Sequence, residues 1–543
     1  MHGIGELSDL ETLLLLIAVA VLFVRLADLV SIPYPIVLVL VGVSIGMLPG
    51  APGSDIPPKV IFLIFLPPLL FSAGLSTSPR EMKEETGALG GLVVGLSIVT
   101  MAAVACAAQL VIPWLNWTEA FLLGAIVAPT DPVAAIATFT RVGVPQRVSR
   151  LVESESMIND STALVLYRVL LTAVVAGTFS LQDAATELVV GVVGGILIGL
   201  GIGWVTARLQ RSLDDPPLSI LLSVVVAYAA YLIADNVGAS GVLSAVTAGL
   251  YTGWMARSET DAETRLDANA FWNTFIFALN VLLFILLGLK LPSIVEAVQD
   301  TMTIAQMIGY GALVSAVVIA VRLAWQFGPV TIGRIFSPAL RFDTGDGWKE
   351  RLVVGWSGMR GAVSLAAALS LPLTLDSGAD FESRETLIIL TVAVIFATLV
   401  LQGLTLPLLI RRIGLTPDEG WSESEAKARA ALAQVALDRI DELERDRPDV
   451  PEDVFERFRN VYGNRAARWK KALDQGDHPA DTSKDFRDSP DIRRELIDAE
   501  RRELLRQQDE GEVDAELHRR MERELDLEET KLPSFNEGTT YES

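Results

Sequence analysis

Two carboxylates stand in stretches that are otherwise fit to cross a membrane. Asp160 closes the run Glu155-Ser-Met-Ile-Asn-Asp160, and Asp131 lies between two prolines in Ala128-Pro-Thr-Asp-Pro-Val133. A charged side chain at the centre of a bilayer costs about 3 kcal/mol or more, so an acid there needs a reason to be kept. Buried acids beside a helix break, with no serine–histidine pair near them, suit the binding of a cation or a proton. On a helix, residues four apart share a face. Glu155 with Asn159, and Ser156 with Asp160, then form two adjacent strips. Hard cations such as Na+ prefer oxygen ligands. Asp160, Asp131, the Ser156 hydroxyl and the backbone freed at Thr130 make such a set, because a helix broken by Pro129 and Pro132 can offer unpaired carbonyls where it lines a cavity. Desolvation penalises the ionised form of a buried acid, whereas a bound cation favours it. Proton and cation therefore compete for one group. A carrier that changes access only when Asp160 is occupied couples the two fluxes, with no nucleotide and no cofactor.

Plainer roles compete with that reading. An intramembrane acid can be one half of a structural ion pair, and Glu155 fits this role better than the two aspartates do. It has two basic candidates, Arg322 and Arg360. An arginine near a helix end can also snorkel to the interface, and Arg322 lies a turn or two from the expected end of its helix. Arg25, Asp28 and Arg168 read as end-of-helix or inter-helix charges. The small-residue run Gly191-Val-Val-Gly-Gly195, with Gly199, Gly201 and Gly203, reads as a face for close helix packing.

These residues have to be positioned by membrane helices. The chain has 543 residues and is 51% hydrophobic; its mean hydropathy is +0.42. The apolar residues come in blocks of about twenty, the length that spans roughly 30 Å of hydrocarbon. Thirteen spans are expected, near 10–31, 34–49, 58–76, 88–112, 117–139, 149–176, 185–208, 217–235, 239–256, 268–290, 303–328, 350–373 and 385–410. Basic residues fall in alternate loops: Arg80 and Lys83; Arg141, Arg147 and Arg150; Arg208 and Arg211; Arg257 and Arg265; Arg334, Arg341 and Lys349; Arg411 and Arg412. By the positive-inside tendency these loops face the cytoplasm, which puts the N-terminus outside and the charged tail inside. Trp114 and Trp117 mark one expected interface and Trp348 the other. The first apolar run has no basic n-region and no small-residue cleavage site, and reads as a retained helix rather than a signal peptide.

The net charge of −22 belongs mainly to the part after about Pro417. That tail is dense in both signs. Residues 422–446 and 452–474 pattern as helices, 490–525 is rich in Arg, Glu and Leu, and Pro448, Pro451, Pro479 and Pro490 punctuate it. Its acidity argues against nucleic acid or anionic lipid as partner. The single cysteine, Cys106, allows no internal disulfide and reads as a core or lipid-facing residue. The histidines, His2, His478 and His518, lie outside the spans. A histidine proton relay is excluded there, and zinc or copper transport is disfavoured. A primary pump would need a phosphate-binding Gly-x-x-x-x-Gly-Lys-Ser/Thr loop, which is lacking. An intramembrane protease would need a histidine in the spans or a Gly-x-Gly-Asp motif, so no enzyme is expected. A channel is separated from a carrier only by strict coupling to protons.

Two spans carry helix-breaking residues at their centres. The fifth has Pro129 and Pro132 around Thr130 and Asp131; the twelfth has Gly355, Gly358 and Gly361 around Arg360. Breaks at corresponding positions of two halves point to inverted repeats, spans one to six and eight to thirteen, with a site near the midplane. The expected fold is an all-α polytopic membrane domain over 1–415, followed by a soluble helical tail over 416–543.

Four motifs carry a resemblance. Leu66-Pro-Pro-Leu-Leu-Phe71 with Ala73-Gly74, Ala128-Pro-Thr-Asp-Pro-Val-Ala134, Glu155-Ser-Met-Ile-Asn-Asp-Ser-Thr-Ala163 and Gly358-Met-Arg-Gly-Ala-Val363 resemble the signatures of sodium/proton antiporters. The match is to the cation/proton antiporter-1 family, bacterial relatives of the animal sodium/proton exchangers, over roughly 10–415. The resemblance implies a homodimer in the cytoplasmic membrane, with a dimerisation domain and a core domain that shifts like an elevator. It implies that the broken fifth and twelfth spans cross. It makes Asp160 the ion- and proton-binding acid, with Asp131, Thr130 and Ser156 beside it. Asn159 is counted with these ion- and proton-binding residues, and its place before Asp160 matches electroneutral members. Glu155 would pair with Arg322 rather than Arg360. The transported ions would be H+ and Na+, with Li+ a further substrate; K+/H+ exchange is the nearest alternative. One departure stands out: some members carry another acid in the third span, and 58–76 has none. The tail would sense cytoplasmic conditions or stabilise the dimer; its plainer role is a solvated extension.

Overall fold

The computed structural model describes residues 21–27, 33–48, 57–77, 91–177, 181–213, 215–259, 262–336, 347–415, 423–448 and 450–475, with positions 18 and 527 besides. Most of the first expected span lies outside these residues, as do Asp28, Arg80, Lys83, Arg341 and the stretch 490–525; within the first span, 21–27 is helical. The chain divides into two compact units, Met1–Pro417 and Asp418–Ser543.

In the first unit the helices are α1 (Tyr34–Gly46), α2 (Pro58–Ser76), α3 (Gly91–Val111), α4 (Trp117–Val127), α5 (Pro132–Val142), α6 (Gln146–Ala176), α7 (Leu181–Gln210), α8 (Pro216–Asn236), α9 (Gly241–Glu259), α10 (Ala262–Gln299), α11 (Ile304–Phe336), α12 (Trp348–Trp356), α13 (Ala362–Leu369), α14 (Arg384–Ala397) and α15 (Gly403–Ile413). A π-helical segment, Thr398–Gln402, joins the last two. Among the described residues nine helical stretches are long and apolar enough to cross a membrane. The protein is an all-α, multi-pass membrane protein. The fifth expected span is α4 and α5 with an unwound break between them. The twelfth is α12 and α13, also broken. Trp114, Trp117 and Trp348 are exposed, as residues at an interface would be, and Cys106 is exposed too.

Local chemistry sets these boundaries. Asn116 caps α4 through a capping box: it accepts from Glu119 N at 2.9 Å while Glu119 accepts from Asn116 N at 3.0 Å. Such a box satisfies two backbone donors that a helix start leaves orphaned. Pro129 and Pro132 cannot donate to a helix ladder, so α4 ends at Val127 and α5 restarts at Pro132, with Asp131 as its N-cap.

Packing sorts the helices into two groups. The first is α1, α2, α7, α8, α9 and α10; the second is α3 to α6 and α11 to α15. In the first group, backbones approach closely at small residues. A Cβ on Gly42 would lie 2.8 Å from Gly288 Cα, and one on Gly199 would lie 2.5 Å from Ser244 O. The expected small-residue face of α7 therefore packs on α9 through Gly195, Gly199 and Gly203, and on Ala239 just before it through Gly194, whereas nothing lies near Gly201. Between the groups, α2 and α10 face α13.

The second unit contains α16 (Glu423–Asp446) and α17 (Glu452–Gln475), paired as a hairpin over Ala433, Ile440, Phe455 and Trp469. Arg459 of α17 bridges Asp441 at 2.9 Å and Glu444 at 2.7 Å on α16.

Candidate ion-binding site

The two breaks meet. Asp131 N donates to Met359 O at 2.8 Å, tying the unwound segment of one broken helix to that of the other. A break inside a membrane has to return partners to the backbone groups it frees, and most of the residues singled out above do so. Thr130 N donates to Asp160 Oδ1 at 3.1 Å. Ser156 Oγ donates to Thr130 O through a short hydrogen bond. Asn159 Nδ2 donates to Ala128 O at 2.9 Å and, more weakly, to Thr130 Oγ1 at 3.4 Å. Arg360 lies across the crossing. Its Nε donates to Val127 O at 2.8 Å and its guanidinium to Gly358 O at 3.0 Å, while its backbone N–H donates to Thr398 Oγ1 at 3.1 Å. A cation is favourable at the C-terminal end of a helix, where carbonyls point outward.

The two glycines of Gly358-Met-Arg-Gly361 have steric reasons. A Cβ on Gly361 would lie 1.7 Å from Asp131 Oδ2, and one on Gly358 would lie 2.1 Å from Arg322 Cδ. Neither contact is tolerable, so glycine is what lets the carboxylate and the arginine approach.

The two strips of α6 separate by environment. Asp160 and Ser156 line a cavity of about 580 Å³ together with Pro129, Thr130, Asp131, Pro132 and Gly361. Glu155 and Asn159 are buried away from it. Glu155 pairs with Arg322, whose guanidinium lies 2.7 Å from Oε1; Arg322 also donates to Val354 O at 3.2 Å, and Gln326 Nε2 lies 3.4 Å from the second carboxylate oxygen. Arg322 is 2% exposed. It does not snorkel: α11 continues to Phe336, well past the end expected at 328. Arg360 forms no salt bridge with Glu155. Asn159, placed among the ion ligands on sequence grounds, is found behind the crossing, its amide spent on Ala128 O and its oxygen accepting from Ser97.

Asp131 has two duties. Its carboxylate accepts from Val133 N at 2.9 Å as the cap of α5, and it also faces the cavity. The cavity continues past Ser72, Ser76 and Thr77 of the α2 end and reaches Arg147, Arg150 and Glu153 at the start of α6. Where an acid in the third span was missing, hydroxyls line the wall instead. Arg168, read as an inter-helix charge, lies 3.4 Å from Asp235 of α8. Sequence reasoning passed over Ser97, Gln326 and Thr398. Each stands in a largely apolar run with no pattern to mark it.

A multi-pass helical membrane protein built round two crossed broken helices, with paired acids in a cavity at the crossing, has the architecture of a secondary transporter. Residues 13–412 match the family described as sodium/hydrogen exchanger, transmembrane. An uncharacterised Na+/H+ exchanger of Mycobacterium tuberculosis is 30% identical over 536 residues, covering 97% of both chains. The Na+/H+ antiporter NhaH of Halobacillus dabanensis is 31% identical over 435 residues, covering 76% of this chain and all of that one. In fold, the chain is similar to the sodium proton antiporter MjNhaP1 of Methanocaldococcus jannaschii, with TM-score 0.58 and 22% identity, covering 74% of this chain and 97% of that one. The chain belongs to the transmembrane sodium/hydrogen exchanger family.

Proposed function

We propose that the protein exchanges Na+ for H+ across the cytoplasmic membrane, and that the two ions compete for Asp160. The observation that carries this reading is the crossing itself. Asp160 and Asp131 share one cavity with Ser156 Oγ and the unwound backbone at Thr130. Carboxylate, hydroxyl and carbonyl oxygens together suit a hard monovalent cation. Thr130 O already accepts from Ser156, yet a carbonyl keeps a second lone pair and the hydroxyl oxygen keeps its own. Either Na+ or a proton on Asp160 lowers the cost of moving that carboxylate through an apolar barrier. The bare carboxylate is held back, which is what couples the fluxes.

Alternating access is read as movement of the helix group that holds the acids against the group containing α2 and α10. The cavity between α2, α10 and the crossing supports that division. Because Arg147 and Arg150 at its far end, in the first turns of α6, belong to a basic cluster assigned inside by charge, the state seen here is read as open to the cytoplasm. The Asn159–Asp160 pair supports an electroneutral cycle, since Asn159 adds no second titrating group. Glu155 and Arg322 hold the crossing together without taking part in exchange. A homodimer, Li+ as a further substrate and a cytoplasmic tail complete the reading.

The test is proton flux in proteoliposomes holding a pH gradient, with Na+, Li+, K+ and choline added in turn, for wild type and Asp160→Asn. Collapse of the gradient with Na+ or Li+ and its loss in the variant are expected. A response to K+ alone would move the reading to K+/H+ exchange on the same fold. Full activity in Asp160→Asn would overturn it.

A further inference from the structure

Two polar groups on the cavity wall are left over once the acid pair and the crossing are accounted for. Asn280 of α10 interrupts Phe275–Leu289, a run otherwise apolar throughout. Ser364 lies in the first turn of α13. Both line the cavity. Asn280 is 5% exposed and Ser364 is 0% exposed. The side-chain oxygen of each has no hydrogen-bond partner among the described residues. That is uncommon, since leaving a buried polar group unpaired costs about 1–3 kcal/mol. A helical serine or threonine ordinarily returns its hydroxyl to the carbonyl four residues earlier. Ser161 and Thr162 do so inside α6, at 2.9 and 2.8 Å; Ser364, in the first turn of α13, has no helical carbonyl four residues earlier to take its hydroxyl.

The two residues line the cavity from different helix groups. Asn280 belongs to the helix group without the acids, Ser364 to the group that holds them, and α10 packs against α13. Ser364 lies two residues after Ala362, which lines the cavity beside Asp131. Two uncharged oxygens beside an acid pair have a definite use. They replace waters of a partly dehydrated alkali cation, and lacking charge they hold it weakly enough to let it go. We propose that Asn280 and Ser364 form a second, uncharged station for the transported cation, occupied on the way between the cavity mouth and Asp160. The station rests on the exchange reading above. Because its halves sit on different helix groups, it is complete only while α10 and α13 face one another.

The full-length chain in proteoliposomes tests it, through the Na+ dependence of proton flux at fixed pH for wild type, Asn280→Ala, Ser364→Ala, the double variant, and the oxygen-keeping Asn280→Ser and Ser364→Thr. Each alanine variant is expected to raise the apparent KM for Na+ about three- to tenfold while the maximal rate stays within about a factor of two. The double variant should fall short of the product of the singles, because both oxygens hold one ion. The oxygen-keeping variants should return KM towards wild type. The station is overturned if the single alanine variants keep the wild-type KM. It is equally overturned if they lose maximal rate at unchanged KM and Asn280→Ser does no better than Asn280→Ala, which would mark a packing role. Should the double variant fail to fold, the single variants decide. Wild-type protein that moves no protons with any cation would sink the exchange reading and the station with it. Active wild type with unchanged variants would sink the station alone.

Discussion

Single side chains in this protein are assigned by what they touch, and the assignments lead to measurements. Competition at Asp160 has a sign. Lowering the pH raises proton occupancy, so the apparent KM for Na+ should rise as pH falls, by no more than about tenfold per pH unit for one proton. The maximal rate at saturating Na+ should stay level over that range. Flux titrations at several pH values check this, and a KM independent of pH would refute single-site competition. The pair Arg322–Glu155 makes a different prediction. Both partners are buried and lie 2.7 Å apart. Removing one leaves a charge stranded, at a cost of about 3–5 kcal/mol. Arg322→Met and Glu155→Gln should each lower the melting temperature of detergent-solubilised protein, and the double variant should recover much of the loss. If the singles melt like wild type, the pair is not what holds α6, α11 and α12 together.

Helices here are broken rather than merely bent, and each break depends on neighbours that repair it. The α4–α5 break is repaired by α6 through Ser156, Asn159 and Asp160, and by the opposing break through Met359 O. The α12–α13 break leans on the π-helical segment, where Thr398 takes the Arg360 N–H. Short π segments inside helices recur at functional positions, and this one places a hydroxyl at the crossing. Gly361 is the narrowest point of the arrangement. A Cβ there would lie 1.7 Å from Asp131 Oδ2, so Gly361→Ala must push Asp131 off the cap of α5 or part the breaks. Exchange should fall by about tenfold, since losing the cap and its carboxylate geometry costs about 1–2 kcal/mol. Gly201→Ala, where a Cβ meets nothing within 4 Å, should exchange like wild type in the same flux assay. Equal activity of the two variants would show that the close approach does not matter.

For the molecule as a whole, two helix groups with a cavity between them support a moving and a stationary part in the proposed cycle. The charged tail is a separate compact unit, its hairpin closed by its own ion pairs and its own small core. Truncation after Pro417 should therefore leave a folded exchanger. If the tail senses cytoplasmic conditions or stabilises the dimer, the truncated protein should show a shifted pH profile of flux or a weaker dimer by light scattering. Unchanged profile and unchanged dimer would reduce the tail to a solvated extension.

Much of this was legible in the residue order. Spans are set by the thickness of hydrocarbon and by the need to satisfy backbone groups inside it, so most of the helices among the described residues could be read from apolar blocks. Pro129, Pro132 and the glycines around Arg360 announced the breaks, because proline and glycine act on the local backbone wherever they stand. The i, i+4 strips of α6 were readable for the same reason: helical periodicity is a property of consecutive residues. Contacts between distant segments were not. The residues alone left Glu155 with two candidate arginines, and Asn159 looked like a ligand until the fold turned its strip away from the cavity. Asn280 and Ser364 drew no notice, lying 84 positions apart in apolar stretches where one polar residue carries no pattern. Which oxygens face a common cavity depends on how helices cross, and crossing is decided by side-chain packing between segments far apart in the chain, where no sequence period reaches.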